Sequence, residues 1–329
     1  MTTLGKEEIL RLSRDFMECQ ILLAGAELNL FTHLTPTPLS AREVAKKVGA
    51  DLRGLTILLD ALVAIGLLVK KEGNYQCSSP LSALLSDDGP DSVLPLVLHM
   101  AHVQQRWSDL AEVVRGSRRP APPGFQPDAG ALRAFIGAMH VIATPLAPKI
   151  VAAVHPETSR ALLDVGGGCG TYTLAFLQAV PEMRATLFDK PEVIEIARQY
   201  MKEMGMLHRV TLVAGDFYRD ELPPGHDLVL VSAIIHQNSP EENRDLFSKA
   251  FRCLKSGGRI VIRDHVMDPD RTRPRDGAIF AVNMLVGSTG GNTYTFEEIR
   301  EGLTEAGFVN VRLLQSGSHM DGLVEAYKP

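Results

Sequence analysis

LLDVGGGCG, residues 162–170, sets an apolar run against an acid and then places four glycines within five residues. A chain gives up side chains where its backbone must turn sharply or approach something closely. The sequence around this stretch tells which. From residue 158 onward, short aliphatic runs alternate with helix-patterned segments: ALLDV, then TYTLAFLQAV; RATLF, then EVIEIARQYMKEM; then RVTLV, DLVLVS and RIVIRD, with a helix expected from Pro240 to Leu254 between the last two. Unbroken apolar strands alternating with helices predict a parallel, doubly wound sheet. FVNVRLLQ and DGLVEAYKP follow with no helix between them, so an antiparallel terminal strand is expected to close it. Ligands of such sheets sit at the C-terminal ends of the strands. The glycines lie at the end of the first strand and are expected to face one.

The glycine spacing narrows the ligand. Gly166, Gly168 and Gly170 read G-x-G-x-G, whereas the dinucleotide fingerprint is G-x-G-x-x-G; a Walker loop would need G-K-[ST]. Phosphate binding is therefore unsupported. Acids recur at successive strand ends: Asp164, Asp189 in LFDKP and Asp216 in AGDFY. Asp189 stands about twenty residues past the glycines, where a carboxylate can accept both hydroxyls of a ribose. This set suits a cationic ligand with a free ribose and no pyrophosphate, and S-adenosylmethionine answers that description.

The N-terminal part reads differently. Residues 6–30 carry Ile9, Leu10, Phe16, Met17, Ile21, Leu22 and Leu23 at helical spacing. In 38–78, Ser40 and Glu43 form a capping box, Gly49 ends a short helix, and a second helix runs from about Leu52 to Ile65. LLVKKEGNYQCS then alternates around Gly73 like a hairpin. Helix, turn, helix and hairpin make a winged helix, which raises a DNA-binding regulator as an alternative. The would-be recognition helix offers only Arg53 against Asp51 and Asp60 and is otherwise almost wholly aliphatic, unlike a reader of base edges. Burial against a second subunit is the better reading. GSRRPAPPGFQPDAG, 116–130, is expected as a long loop, followed by a helix with a kink at Pro145. Two domains are expected: 1–106, helical and winged, and 107–329, built on the Rossmann-like sheet and including linking helices over 107–157.

Bulk properties agree. The 329 residues are 45% hydrophobic and 22% charged, with a net charge of −5. That balance speaks against a chain made to coat nucleic acid or an anionic membrane. Cys19, Cys77, Cys169 and Cys253 lie far apart, as reduced thiols of a cytoplasmic protein would, without a zinc or disulfide framework. Neither a signal-peptide apolar region nor a bilayer-spanning run is apparent.

With these residues in view, LLDVGGGCGTYTLAFLQAVPEMRATLFDKPEVIEIA resembles motif I and its continuation in class I S-adenosylmethionine-dependent methyltransferases. The winged-helix start, RWSDLAEVVRG (106–116) and the order of later motifs resemble the O-methyltransferases related to plant caffeate and bacterial polyketide enzymes. The resemblance covers nearly the whole chain. It implies an intertwined homodimer, no metal, and a small aromatic or polyketide-like acceptor; no nucleic acid or membrane partner is expected from the charge balance. It implies that Asp164, Gly166 and Gly168 belong to the cofactor site, with Asp189 on the ribose and Asp216 and Phe217 at the adenine. A lysine often found four residues before the family's histidine is Ser232 here.

His236, in VLVSAIIHQNSPEEN, lies between the fourth strand and a helix opened by Ser239, Pro240 and Glu242. The family's general base has this position, usually within H-D-W; here it is H-Q-N. Asp264 matches a family glutamate that orients the base. A second family glutamate after a glycine pair is Thr293 here. His265 is expected to point away from Asp264, since strand side chains alternate. Met139, Asn283 and Met284, on helices expected to cover the crevice, are the candidate acceptor contacts. A repurposed scaffold, catalysing a decarboxylation or hydroxylation, is the other enzymatic alternative.

Overall fold

The computed structural model describes residues 4–118 and 129–329. The chain divides into two compact units, one of residues 1–104 and 128–141, the other of 105–127 and 142–329. The Pro- and Gly-rich stretch read as a loop lies, at 119–128, outside the described residues.

The second unit is built on seven strands: β1 (Ala161–Val165), β2 (Arg184–Asp189), β3 (Val210–Ala214), β4 (His226–Ser232), β5 (Leu254–Asp264), β6 (Val309–Gln315) and β7 (Gly322–Tyr327). Their order is β6-β7-β5-β4-β1-β2-β3. The strands from β5 to β3 pair parallel, and β7 runs antiparallel to both β5 and β6. The doubly wound sheet and its antiparallel end are as the alternation predicts. β5 starts at Leu254, five residues before the RIVIRD run. The chain proceeds outward from β1 through β2 to β3 and returns to β4 on the other side, so the direction switches between β1 and β4. Register places Val165 beside both Phe188 and Val231. The C-terminal ends of β1, β2 and β4 are therefore level at the switch point, where open α/β sheets bind ligands.

Each face of the sheet has its own core. One packs Leu163, Val165, Val229, Val231, Ile260 and Ile262 under the helices Pro240–Cys253 and Phe296–Glu305. The other packs Leu162, Leu228, Leu230, Val261 and Leu323 under Ala147–Val154 and Thr171–Ala179. Alternation sends successive side chains of each strand into opposite cores. The Ser239–Glu242 capping box forms as expected, with the Glu242 amide donating to Ser239 Oγ.

In the first unit the expected helix 6–30 is three helices, Lys6–Leu12, Phe16–Glu27 and Leu30–His33, with Asn29 at φ +51° before the last. Ala41–Val48 carries the Ser40–Glu43 capping box and ends on Gly49 at φ +67°. Leu52–Ala64 follows. Val69–Lys71 and Asn74–Gln76 form the hairpin, with Glu72 and Gly73 both at positive φ, as a tight two-residue turn demands. Leu39–Ser40 adds a third strand to this otherwise helical unit. The aliphatic helix spends one stripe, Leu55, Leu59 and Leu62, on this unit's own core and leaves Ile57 exposed. Met139 is half-buried on the helix Ala129–Ala143. At Pro145 the expected kink is a full break, and a separate helix starts at Ala147.

Among the described residues, no single helix is long and apolar enough to cross a membrane.

Candidate active site

Two turns meet at the switch point. The first, after β1, is made of its own glycines. Gly166, Gly168 and Gly170 have φ of +66°, +58° and +95°, values that L side chains avoid. A Cβ on Gly166 would stand 2.5 Å from Ile234, and one on Gly170 2.5 Å from Met201, whereas nothing lies within 4 Å of the place above Gly168. The loop is thus packed on its flanks and open at Gly168. The Gly168 amide donates to Asp189 Oδ2 at 2.8 Å, and the Lys190 amide donates to Oδ1 at 2.7 Å. Burial pushes the half-buried Asp189 carboxyl up from the ordinary carboxylate range.

Asp164 takes a different place from the one its motif suggests. It is 1% exposed, beneath Gly167, and accepts a 2.6 Å bond from the Thr173 hydroxyl. Burial, with a smaller contribution from the Asp189 charge, pushes its carboxyl up to about 6. It ties the loop to the following helix from below. Asp216 accepts from the Tyr218 amide at 3.0 Å; the Phe217 ring lies 4.6 Å from that of Tyr218, and its carbonyl accepts from Lys249. Ser232, the last residue of β4, accepts from Arg263 at 3.1 Å.

The second turn, after β4, has no glycine. Ala233 stands at φ +57°, and His236 sits in the short 3-10 turn Ile235–Gln237. His236 Nδ1 lies 3.0 and 2.9 Å from the two carboxylate oxygens of Asp264, which is 0% exposed. Burial alone would raise the Asp264 carboxyl. The adjacent His236 imidazole, their hydrogen bond and the His265 amide outweigh it and hold the group below its ordinary value. No other carboxylate bonds His236 among the described residues. Thr293, at the position of the second family glutamate, is buried, and its carbonyl accepts from Arg271.

What holds this turn comes from elsewhere in the chain. Asn238, fully buried, gives its amide N–H to Asn243 and receives the Tyr218 hydroxyl at 2.7 Å, while its carbonyl receives Tyr294. Asn243 in turn donates to the Ile235 carbonyl. The Asn292 amide donates to the His236 carbonyl, and a Cβ on Gly291 would fall 2.5 Å from that same oxygen. The pair Gly290–Gly291 is required for close packing against 236–239. The glycine pair is visible in the sequence, but what it packs against, like the partners of Asn238, lies far along the chain.

His265 does not point away as alternation predicts. The strand ends at Asp264, and the His265 ring lies 5.2 Å from that of Phe280, whose ring also meets His236 edge-on at 4.8 Å. Asn283 is engaged as well: its Oδ1 accepts from the Trp107 indole at 2.9 Å, because the indole N–H can only donate. Met284 is buried on the same helix, Arg275–Gly287.

The chain matches known proteins along its length. A family model described as O-methyltransferase domain matches residues 126–309, and one described as O-methyltransferase dimerisation domain matches 10–87. The 3-hydroxy-5-methyl-1-naphthoate 3-O-methyltransferase of Streptomyces sahachiroi is 32% identical, over 93% of this chain and 90% of that protein. The tetracenomycin polyketide synthesis 8-O-methyl transferase of Streptomyces glaucescens is 30% identical, over 94% and 93%. The structure of human N-acetylserotonin methyltransferase in complex with SAM superposes with a TM-score of 0.82 at 25% identity, covering 100% of this chain and 99% of that one.

Proposed function

The chain belongs to the S-adenosylmethionine-dependent O-methyltransferases, and from that premise we propose that it methylates a hydroxyl of a small aromatic or polyketide-like acceptor with His236 as general base. The observation that carries the base is the Asp264 carboxylate held against Nδ1. That contact favours the tautomer with the proton on Nδ1 and leaves Nε2, which has no partner among the described residues, to accept one. The acceptor class rests on the naphthoate and tetracenomycin relatives.

The residues fit the cofactor. The loop is open above Gly168, and Asp189 is fixed at the end of the neighbouring strand by the Gly168 and Lys190 amides, where we place the ribose. Gly166, Gly168, Asp189, Asp216, Phe217 and Ser232 are the contacts we assign to it. Asp164 acts from beneath, as the group that shapes the loop. When bound, S-adenosylmethionine supplies a methyl group on a sulfonium centre. The protein's part is to align the acceptor oxygen and take its proton. Alignment is worth of order 7–11 kcal/mol in the best cases, and a general base about 10²–10⁴-fold. His236 Nε2 takes the proton. Asp264 orients the ring and stabilises its protonated form, as the acid of a catalytic triad does. Phe280 borders the base, with Met284 buried on the same helix; we keep Met139, Asn283 and Met284 as acceptor-side residues, Asn283 with its amide N–H only.

The protein acts as a homodimer formed by its N-terminal domain, which we take as 1–106, with the catalytic domain spanning 107–329. The match to a dimerisation domain supports this, as does the exposure of Ile9, Leu10, Leu12, Phe16 and Met17, apolar side chains that a second subunit would cover. Four unpaired cysteines suit the cytoplasm, and neither nucleic acid nor membrane has a part in the reading.

A screen of phenols, hydroxyquinones and aromatic carboxylic acids, read by transfer of labelled methyl, tests the proposal. An acceptor should respond. On it, His236→Ala should lower turnover by about 10²–10⁴-fold with S-adenosylhomocysteine affinity unchanged, and Asp264→Asn should cost less. Full turnover in His236→Ala would remove the base.

A further inference from the structure

Arg263 is the penultimate residue of β5. It alternates with Val261, so its side chain rises into the core shared by Leu228, Leu230 and Tyr172, on the opposite face from Asp264. It is 3% exposed. A guanidinium is always charged and carries five N–H donors. Here Nη1 donates to Ser232, and the guanidinium carbon lies 5.2 Å from the centre of the Tyr172 ring. Nε has no partner. The Tyr172 hydroxyl, near Ser232, is buried too and makes no hydrogen bond of normal geometry. Four buried side-chain polar atoms lack a partner among the described residues, and two of them are in this cluster. No carboxylate forms an ion pair with Arg263 among the described residues.

A buried cation without an anion is costly, and native proteins leave few such groups unpaired. Among the described residues no carboxylate bonds the guanidinium, although its charge helps to hold Asp264 ionised on the other face, so an anion brought by a ligand would complete the site. Position identifies it. Asp189 ends β2, the glycine loop ends β1 and Ser232 ends β4, in that order across the sheet. Neighbouring strands are about 4.8 Å apart, so Asp189 and Ser232 are separated by roughly 10 Å. A ligand whose ribose is held at Asp189 and which crosses the open Gly168 brings its other end to Ser232, where the Arg263 guanidinium waits.

We propose that Arg263, with Ser232 and the Tyr172 hydroxyl, binds the α-carboxylate of the methionyl tail of S-adenosylmethionine. The proposal rests on the cofactor reading above. Arg263 is then a cofactor-binding residue supplied by β5.

Calorimetry with two ligands tests it. S-adenosylhomocysteine has the carboxylate; 5′-methylthioadenosine keeps the nucleoside and lacks the amino-acid end. In Arg263→Met, S-adenosylhomocysteine should bind about 10- to 100-fold more weakly, the scale of a lost charge-assisted hydrogen bond, while methylthioadenosine binding is unchanged. Arg263→Lys should recover part of the loss. The melting temperature of ligand-free Arg263→Met should not fall, because no partner charge is stranded. Equal weakening of both ligands, or undiminished S-adenosylhomocysteine binding with a lower melting temperature, would overturn the assignment and make Arg263 a structural residue. So would a variant that loses affinity only for carboxylated acceptors. If the wild type binds neither nucleoside, the cofactor reading itself fails, and the assignment with it.

Discussion

The turns leaving β1 and β4 face the same problem by different means. Both must reverse a strand into a helix within a few residues at the switch point. The first solves it locally: Gly166, Gly168 and Gly170 take positive φ without a steric cost. The second keeps side chains throughout, so Ala233 is held in the left-handed region by what surrounds it. Its amide donates to the Arg263 carbonyl, and the stretch beyond is fixed by Asn238, Asn243, Tyr218, Tyr294 and the backbone at Gly291. A turn meant to lie open beside a ligand is cheaply made from glycine. A turn meant to aim one imidazole needs contacts from several elements, because only they restrict where the ring points.

That contrast can be broken most forcefully at Gly291. A methyl group there meets the His236 carbonyl oxygen, and backbone cannot swing aside as a side-chain end can. Gly291→Ala should lower turnover by about 10²-fold, the cost of a displacement near 1 Å, and stability by about 1–3 kcal/mol. S-adenosylhomocysteine affinity should persist. Calorimetry beside turnover measurements would show whether the two turns are independent; a parallel loss of affinity would mean that they move as one.

Asp164 sharpens the first half of the comparison. Its carboxyl is raised from 3.8 to about 6 by burial, so the folded protein binds a proton more tightly than the unfolded chain. The stability this provides is complete below about pH 3.8 and is lost as pH rises through about 6. The difference corresponds to about 3 kcal/mol. Asp164→Asn is neutral throughout and still offers Thr173 an oxygen. Denaturant midpoints should therefore match the wild type near pH 4 and exceed it near pH 8. A midpoint below the wild type at pH 8 would mean that the charge itself holds the loop.

The smallest effect is expected from Gly170→Ala. A left-handed φ costs an L residue about 1–2 kcal/mol, and the Met201 methyl in the way is the flexible end of its side chain. Thermal melting should register that loss, and turnover at saturating cofactor should be near normal. A collapse of turnover would show that the glycine loop, too, aims the chemistry.

Legibility followed the same division. The glycine loop, the alternation of strands and helices, both capping boxes and the winged hairpin were readable because each depends on residues within a few positions of one another. His236 and Asp264 were readable as strand-end residues and through the family likeness. Other features were not. Asn238 appeared only as a departure from H-D-W, and its partners Tyr218 and Tyr294 lie far along the chain. Alternation fails for His265 because the strand ends at Asp264. The bond from Trp107 to Asn283 joins residues 176 positions apart, beyond the reach of any local pattern. Nothing local marks Arg263 as buried, since a cation in a strand ordinarily lies at the surface.

By itself the sequence determined the periodicities, the turns that glycine alone permits and the chemical types available at the strand ends. These are local properties, set by backbone sterics and by which side chains tolerate burial. Which polar groups meet was decided only by the tertiary structure. The pairing of His236 with Asp264, the fit of Gly291 against the His236 carbonyl and the unpaired charge of Arg263 arise where strands distant in sequence become neighbours. Hydrogen bonds and ion pairs depend on distances of a few ångströms, and the packing of the two cores against the sheet sets those distances.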